Sequence, residues 1–268
     1  MKPHPLVTLN RALALLGFFA CILAVTAPQA RPLNIVTIDI PPFGMTAEDG
    51  QLHGIMYEIS NRIAAQAGFT SRNMLLPYAR TVIELKHGRA DFVLRFDNDD
   101  LAEAAIKVAP IFPLQVIVLA GAGKRLRTFN DLHGLTIGVM RGGHFNDAFA
   151  ADQAIKKFPI NNYQQGLSMV VNGRIDGLIG SDLGIYTVAE GMRLTQATFS
   201  RPLVLGEQYF WLFYSRKTAE EATLARLTQA VEQLRERGAF EQIVLRHARA
   251  TYMRKGFSRP PRHTTPLL

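Results

Sequence analysis

Apolar positions along the chain change from the short spacing of strands to the longer spacing of helices. The run from Leu33 to Ile38 is rich in β-branched residues and stops before two prolines, which favours a buried strand. From Ile55 to Ala67 apolar residues recur every four positions, and Gly68 follows, as in an amphipathic helix with a glycine stop. Strands that alternate with helices predict an α/β protein.

The same patterns continue through the rest of the chain. They predict strands at residues 92–94, 115–119, 135–140 and 209–214 and helices at 80–86, at 182–191 and near 240–244. Another helix is expected to open on a capping box of Thr218 and Glu221 and to end at Gly238.

One four-residue pattern occurs twice. Residues 88–91 read Gly-Arg-Ala-Asp and residues 173–176 read Gly-Arg-Ile-Asp, and each follows a helix-like stretch and precedes a strand. Reuse of one helix–turn–strand unit predicts two similar α/β lobes.

The first thirty residues have the composition of a secretory signal. Lys2 and Arg11 bracket a basic start, residues 12–25 are apolar and uncharged, and small residues follow up to Ala30. The apolar run is shorter than the ~20 residues of a spanning helix, so a cleaved signal is predicted over an uncleaved anchor. The single cysteine, Cys21, lies inside this segment, and a lipoprotein site at Phe18 to Cys21 is an alternative.

The charge of the chain is basic, but it does not predict a nucleic-acid partner. The formal net charge is +8 and the pI about 9.8, and 48% of the 268 residues are hydrophobic, enough for a sizeable core. Residues 253–268 hold four basic residues, three prolines and no acid, and are expected to form a flexible tail with at most a weak attraction to anionic membranes. Export argues against nucleic acid.

The order of several short motifs resembles one known family. The motifs are Ile40-Pro41-Pro42-Phe43, Asp49-Gly50 with Gly54, residues 88–91, Pro110, Asp131-Leu132 with Gly134, residues 138–142, residues 173–176 with Asp182, and residues 238–241. From about Leu33 to Tyr252 the chain resembles the bacterial extracellular solute-binding proteins of family 3, which include periplasmic amino-acid receptors of ABC importers.

The resemblance implies a type II periplasmic-binding fold: two α/β lobes, two crossover strands and a ligand cleft between the lobes. Lobe one would comprise residues 31–116 and 207–252, and lobe two residues 117–206. It also implies a monomeric periplasmic protein that captures a small polar solute, an amino acid or related organic anion, for an inner-membrane ABC permease.

The resemblance and the residues together suggest a binding site. Phe43 and Tyr78 are expected to form an aromatic wall, with ordinary core packing as the alternative for Phe43. Asp182 corresponds to the acid that takes the α-ammonium in amino-acid-binding relatives, and it is also well placed to be a helix N-cap.

The expected carboxylate-binding arginine is missing from this sequence. The family pattern leads from Asp91 to Glu103, which is not basic. Arg80 and Arg95 are the candidate replacements, since either guanidinium could fork onto an anion, although either could instead lie in a surface salt bridge. Backbone N–H groups of Gly142, Gly143 and His144 could also cradle an anion if they begin a helix.

No pattern of catalytic residues or metal ligands is present, so we predict a binding protein without cofactor or metal, and not an enzyme. A periplasmic dehydratase on the same fold is an alternative, which would need a cleft acid such as Glu103. A sensing module for a membrane receptor is another.

Overall fold

The computed structural model describes residues 31–254, with side chains up to His247. The predicted signal segment with Cys21, and the tail beyond Arg254, lie outside the described residues. No helix in residues 31–254 is both long and apolar enough to cross a membrane.

Strands and helices alternate as the hydrophobic pattern predicts. The strands are β1 (Leu33–Ile38), β2 (Met45–Thr46), β3 (Leu52–His53), β4 (Ser71–Leu76), β5 (Phe92–Arg95), β6 (Ala105–Ala120), β7 (Thr136–Met140), β8 (Lys156–Ile160), β9 (Gly177–Ser181) and β10 (Leu203–Ser215). The helices are α1 (Ile55–Gln66), α2 (Tyr78–Lys86), α3 (Asp99–Ala104), α4 (Asp147–Ala151), α5 (Tyr163–Val171), α6 (Asp182–Gly191), α7 (Glu221–Glu236) and α8 (Ala239–Arg254). Short 3-10 turns lie at Phe129–Leu132 and Gln196–Thr198.

Eight strands form one sheet in the order β4-β1-β5-β10-β6-β9-β7-β8. In the first lobe β1 pairs in parallel with β4 and β5, and in the second lobe β7 pairs in parallel with β8 and β9. Between them run the long antiparallel strands β6 and β10, which pair with each other and with one lobe each. The two lobes are therefore joined by two crossover strands.

The repeated four-residue pattern occupies the same structural position in each lobe. Asp91 Oδ2 accepts a hydrogen bond from Asn34 N at 2.7 Å, and Asp176 Oδ2 accepts one from Thr136 N at 2.8 Å. In both cases the aspartate N–H also donates to the carbonyl of the same partner residue. Each aspartate thus ties the start of its own strand to the start of the neighbouring parallel strand, and the predicted repeat is confirmed.

Two expectations about element ends differ from the structure. The capping box is wrong: Thr218 lies in the turn after β10, its Oγ1 has no hydrogen-bond partner among the described residues, and α7 begins at Glu221 with Glu220 as its N-cap. The strand predicted at 115–119 extends back to Ala105. Pro110, which has no N–H to donate, lies beside an irregularity in the β6–β10 pairing, a position at which strands tolerate proline.

Replacing the aspartate of the first repeat should destabilise the protein. Asp91→Ala removes the acceptor of Asn34 N and of the Tyr214 hydroxyl at a carboxylate that is only 1% exposed, so we expect a loss of about 1–3 kcal/mol in unfolding free energy. Urea unfolding measures this loss in unfolding free energy. Asp49→Ala is the control, since this exposed carboxylate accepts from Gln51 N within its own turn; equal losses in both variants would contradict the interpretation.

Candidate functional site

Chain segments that follow the strands of both lobes meet at one place. Arg95 ends β5, Ser181 ends β9, Gly142 follows β7 and Phe43 follows β1. In open α/β sheets, ligands bind outside the carboxyl ends of parallel strands, so this meeting point is the candidate site.

Arg95 is the most unusual side chain there, because its guanidinium is completely buried and forms no ion pair with any described residue. Its Nε donates to the Phe96 carbonyl at 3.3 Å, and Nη1 donates to the Tyr78 carbonyl at 3.2 Å and to Thr81 Oγ1 at 2.8 Å. Nη2 reaches across to the Gly142 carbonyl of the second lobe at 3.1 Å. The guanidinium carbon lies 4.1 Å from the centre of the Tyr78 ring, as in a cation–π contact.

These contacts solvate the charge of Arg95 but do not neutralise it. The four hydrogen bonds go to neutral oxygens, and they leave one of the guanidinium's five N–H groups, on Nη2, without an acceptor. The acids near Arg95 in sequence are elsewhere: Asp97, for example, pairs with Lys107 at 2.7 Å. A buried charge without a counter-ion is costly, so the site favours an anionic or strongly accepting group beside Arg95.

Two hydroxyl groups in this region are also buried without a protein partner. They are the phenol of Tyr78 in the first lobe and Oγ of Ser181 in the second; Ser181 Oγ lies near the Tyr163 hydroxyl, but the two groups lack hydrogen-bonding geometry. The Ser181 backbone N–H donates to the hydroxyl oxygen of Tyr163 at 3.1 Å, which fixes the tyrosine beside it. Buried polar groups normally have partners, so these two hydroxyls are suited to bind a polar ligand.

Asp182 brings a negative charge to the second lobe's side. It is 6% exposed and is the first residue of α6, and its Oδ1 accepts from Leu183 N at 2.7 Å. Burial raises the pKa of Tyr163, and the charge of Asp182 adds to this effect. Burial and the same carboxylate raise the pKa of Tyr186 to about 12. Both phenols are therefore neutral hydrogen-bonding groups beside an anion.

Phenylalanine rings connect the two sides of the site. Phe43 packs on Phe210 with ring centres 5.2 Å apart, Phe210 packs on Phe96 at 4.2 Å, and Phe96 meets Phe145 edge-on at 6.0 Å. Phe43 is 2% exposed and also faces α6, where a Cβ added to Gly184 would lie 3.1 Å from its Cε2. Phe43 is thus both core and boundary of the candidate site.

Known proteins resemble this chain over most of its length. The family model for bacterial extracellular solute-binding proteins, family 3, matches residues 33–249. The chain belongs to this family. An arginine-binding periplasmic protein of Mannheimia haemolytica is 23% identical over 233 residues, covering 84% of this chain and 93% of that protein.

Solved structures show the same fold. A histidine kinase sensor domain with similarity to periplasmic binding proteins matches with a TM-score of 0.71 at 19% identity, covering 82% of this chain and 96% of that one. A mutant of ArgBP from T. maritima matches with a TM-score of 0.69 at 15% identity, covering 81% and 95%. The two-lobed periplasmic-binding fold that the resemblance implied is confirmed.

The structure brings together five of the eight residues that the family resemblance and the sequence suggested. The residues that meet are Phe43, Tyr78, Arg95, Gly142 and Asp182. Arg80 points away: its side chain is 63% exposed and its Nε lies 3.4 Å from Glu84 Oε1. Glu84 also binds Arg89 at 2.6 Å, and this hydrogen bond is the main cause of its lowered pKa.

The loop after β7 is not the start of a helix. Helix α4 begins at Asp147 with Asn146 as its N-cap, and the N–H of Gly143 already donates to the Met140 carbonyl at 2.8 Å. His144 pairs with the exposed carboxylate of Asp147 at 2.6 Å. An anion cradle formed by this loop stays a prediction without support from its geometry.

Asp182 differs from its sequence interpretation as an N-cap. Ser181 occupies the cap position, without a side-chain cap hydrogen bond, and Asp182 follows inside the helix. Ser181 was visible in the sequence only as the neighbour of Asp182, and nothing in the sequence indicated Tyr163.

A methyl group at Gly184 should disturb the packing of the candidate site. The added Cβ would lie 2.7 Å from Tyr163 Cε2 and 2.8 Å from Ser181 Oγ, so Gly184→Ala is expected to cost about 1–3 kcal/mol by overpacking. Gly191→Ala, at the end of the same helix with nothing within 4 Å, should be neutral or stabilising by up to about 1 kcal/mol. Thermal unfolding separates the two; equal effects would contradict the close packing described.

Proposed function

We propose that the protein captures a small polar solute that carries an anionic group, and that Arg95 supplies the positive charge for it. The observation that carries this proposal is the fully buried guanidinium of Arg95, which has no acidic partner among residues 31–247. One N–H of the guanidinium remains for the solute. Recognition of the anion would therefore rely on charge and on one hydrogen bond, and not on bidentate hydrogen bonding.

Asp182 and the two free hydroxyl groups extend the proposal to zwitterions. A cationic group of the solute would lie near Asp182, while the hydroxyls of Tyr78 and Ser181 would bind its polar atoms. Amino acids and related compounds carry both charges, which agrees with the name of the arginine-binding relative. L-Arginine is therefore the first solute to test.

The family and the sequence support a proposal for where this binding takes place and for which partner receives the solute. The predicted signal in residues 1–30 and the periplasmic relative support export to the periplasm. The family supports delivery to an ABC permease. The lobe boundaries at residues 116–117 and 206–207 stay as predicted from the sequence. A histidine kinase sensor domain has a similar fold, so a sensing role is the second candidate.

The dehydratase alternative has less support from the structure. Glu103, the acid it depends on, is 80% exposed and lies 3.5 Å from the Lys86 ammonium. A catalytic acid would have to face the bound solute from inside the cleft, and an exposed carboxylate beside a lysine is not placed to do so.

Binding experiments distinguish the two candidate arginines. A thermal-shift screen of L-arginine, other amino acids, polyamines, organic acids and opines selects a solute, and calorimetry then measures its affinity. Arg95→Lys and Asp182→Asn should each weaken binding roughly tenfold or more, because each removes a charge-assisted hydrogen bond. Arg80→Gln, which breaks an ion pair between an exposed arginine and Glu84, should leave affinity within about twofold, since Glu84 keeps its closer partner Arg89. The reverse ranking of Arg95 and Arg80 would assign the anion to Arg80.

The two unpartnered hydroxyls allow a test in which stability and affinity respond differently. Ser181→Ala and Tyr78→Phe remove groups without a protein partner. The unfolding free energy of each ligand-free variant should therefore fall by no more than about 0.5 kcal/mol, or rise, while its affinity for the solute falls about fivefold. Ser60→Ala on α1 is the matched control, since Ser60 Oγ is equally buried and unpartnered but lies outside the site. It should leave affinity unchanged. Unaltered affinity in both site variants would remove the hydroxyls from the proposal.

A further inference from the structure

The Gly142 carbonyl accepts two hydrogen bonds that cross from one lobe to the other. Asn98 Nδ2 donates to it at 2.9 Å, and Arg95 Nη2 donates at 3.1 Å. Both donors belong to the first lobe and lie close together in the sequence, whereas Gly142 belongs to the second lobe. A carbonyl oxygen has two lone pairs, so both bonds can form together.

Asn98 is held in place for this contact by its own helix. Its Oδ1 accepts from Leu101 N at 3.2 Å and so caps α3, which leaves the amide nitrogen to face the opposite lobe. The residue is 9% exposed. One side chain therefore carries two separable roles: its oxygen stabilises a helix, and its nitrogen links the lobes.

Gly142 presents its carbonyl through a backbone conformation that suits glycine. Its φ is +69°, in the left-handed region, and a Cβ added there would lie 3.5 Å from Ala79 Cβ in the first lobe. The loop after β7 is thus close to α2 as well as to Arg95, and the carbonyl oxygen is the point at which the second lobe accepts the first lobe's donors.

We propose that Asn98 is a positioning residue that, together with Arg95, latches the closed cleft through the Gly142 carbonyl. The latch consists of protein groups only, so it stabilises the closed arrangement before any solute contributes. Its consequence for affinity rests on the proposed function: Arg95 is shared between the latch and the solute, and closing the cleft places its one remaining N–H at the site. Loss of the latch should therefore open the cleft in ligand-free protein, whatever the solute is.

A serine at position 98 separates the two roles of the asparagine. Serine caps helices nearly as well as asparagine, but its hydroxyl is too short to cap α3 and reach Gly142 at once. Asn162→Ser is a matched control: Asn162 caps α5 through the same kind of bond, to Gln165 N at 2.8 Å, with nearly the same backbone angles. It makes no described contact with the first lobe.

Double electron–electron resonance spectroscopy measures distances between two spin labels, and these distances report the open and closed populations of the ligand-free protein. Spin labels would be placed at the exposed positions Ala65 in lobe one and Gln153 in lobe two, in a Cys21→Ser background, since Cys21 is the only cysteine. Asn98→Ser should raise the ratio of open to closed protein about threefold to tenfold, as expected for one lost hydrogen bond, and Asn162→Ser should leave it unchanged.

The outcomes are distinct from those of the solute experiments. An unchanged open-to-closed ratio in Asn98→Ser, or an equal change in Asn162→Ser, would overturn the latch even if a solute binds as proposed. If Asn98→Ser fails to fold, Asn98→Asp keeps a strong helix cap while it lacks the N–H donor, and it should open the cleft in the same direction. An increase in the open population of Asn98→Ser supports the latch even if the solute screen finds no ligand.

Discussion

A guanidinium buried without a counter-ion is the constraint on which the rest of the site depends. Arg95 gains its solvation from the carbonyls of Phe96, Tyr78 and Gly142, from a threonine hydroxyl and from the face of an aromatic ring. Because one of these carbonyls belongs to the other lobe, the charge is fully surrounded only when the lobes approach. In the proposed function, the same arginine would couple closure of the protein to recognition of an anion.

The repeated lobes explain why the site lies where it does. Asp91 and Asp176 each align two parallel strands at their amino ends, so the carboxyl ends of both sets are directed toward the junction. The crossover strands β6 and β10 then fix which strand ends meet. The two copies differ at these ends, where we propose the binding site: a buried arginine ends β5, whereas Ser181 ends β9 and is followed by an aspartate.

Sequence patterns predicted most of the frame and part of the site. The strand and helix periods of β1 and α1 are local properties, and the repeat could be recognised because it preserves four residues. The choice between Arg80 and Arg95 could not be made, because the exposure of one face of α2 and the burial of the end of β5 are both set by packing between distant elements. Asn98 and Tyr163 could not be found at all, since their roles depend on contacts between elements far apart in the chain. The capping box failed because α7 begins only at Glu221, so that Glu220 and not Thr218 takes the N-cap position.

The most direct test is the structure of the protein with the solute that the screen selects. We expect an anionic oxygen of the solute at about 3 Å from Arg95 Nη2, with the Ser181 or Tyr78 hydroxyl bonded to another of its polar atoms and the Gly142 carbonyl still held by Asn98. A solute whose anion lies on another cation, with Arg95 in contact only with protein atoms, would contradict the central role given to this arginine.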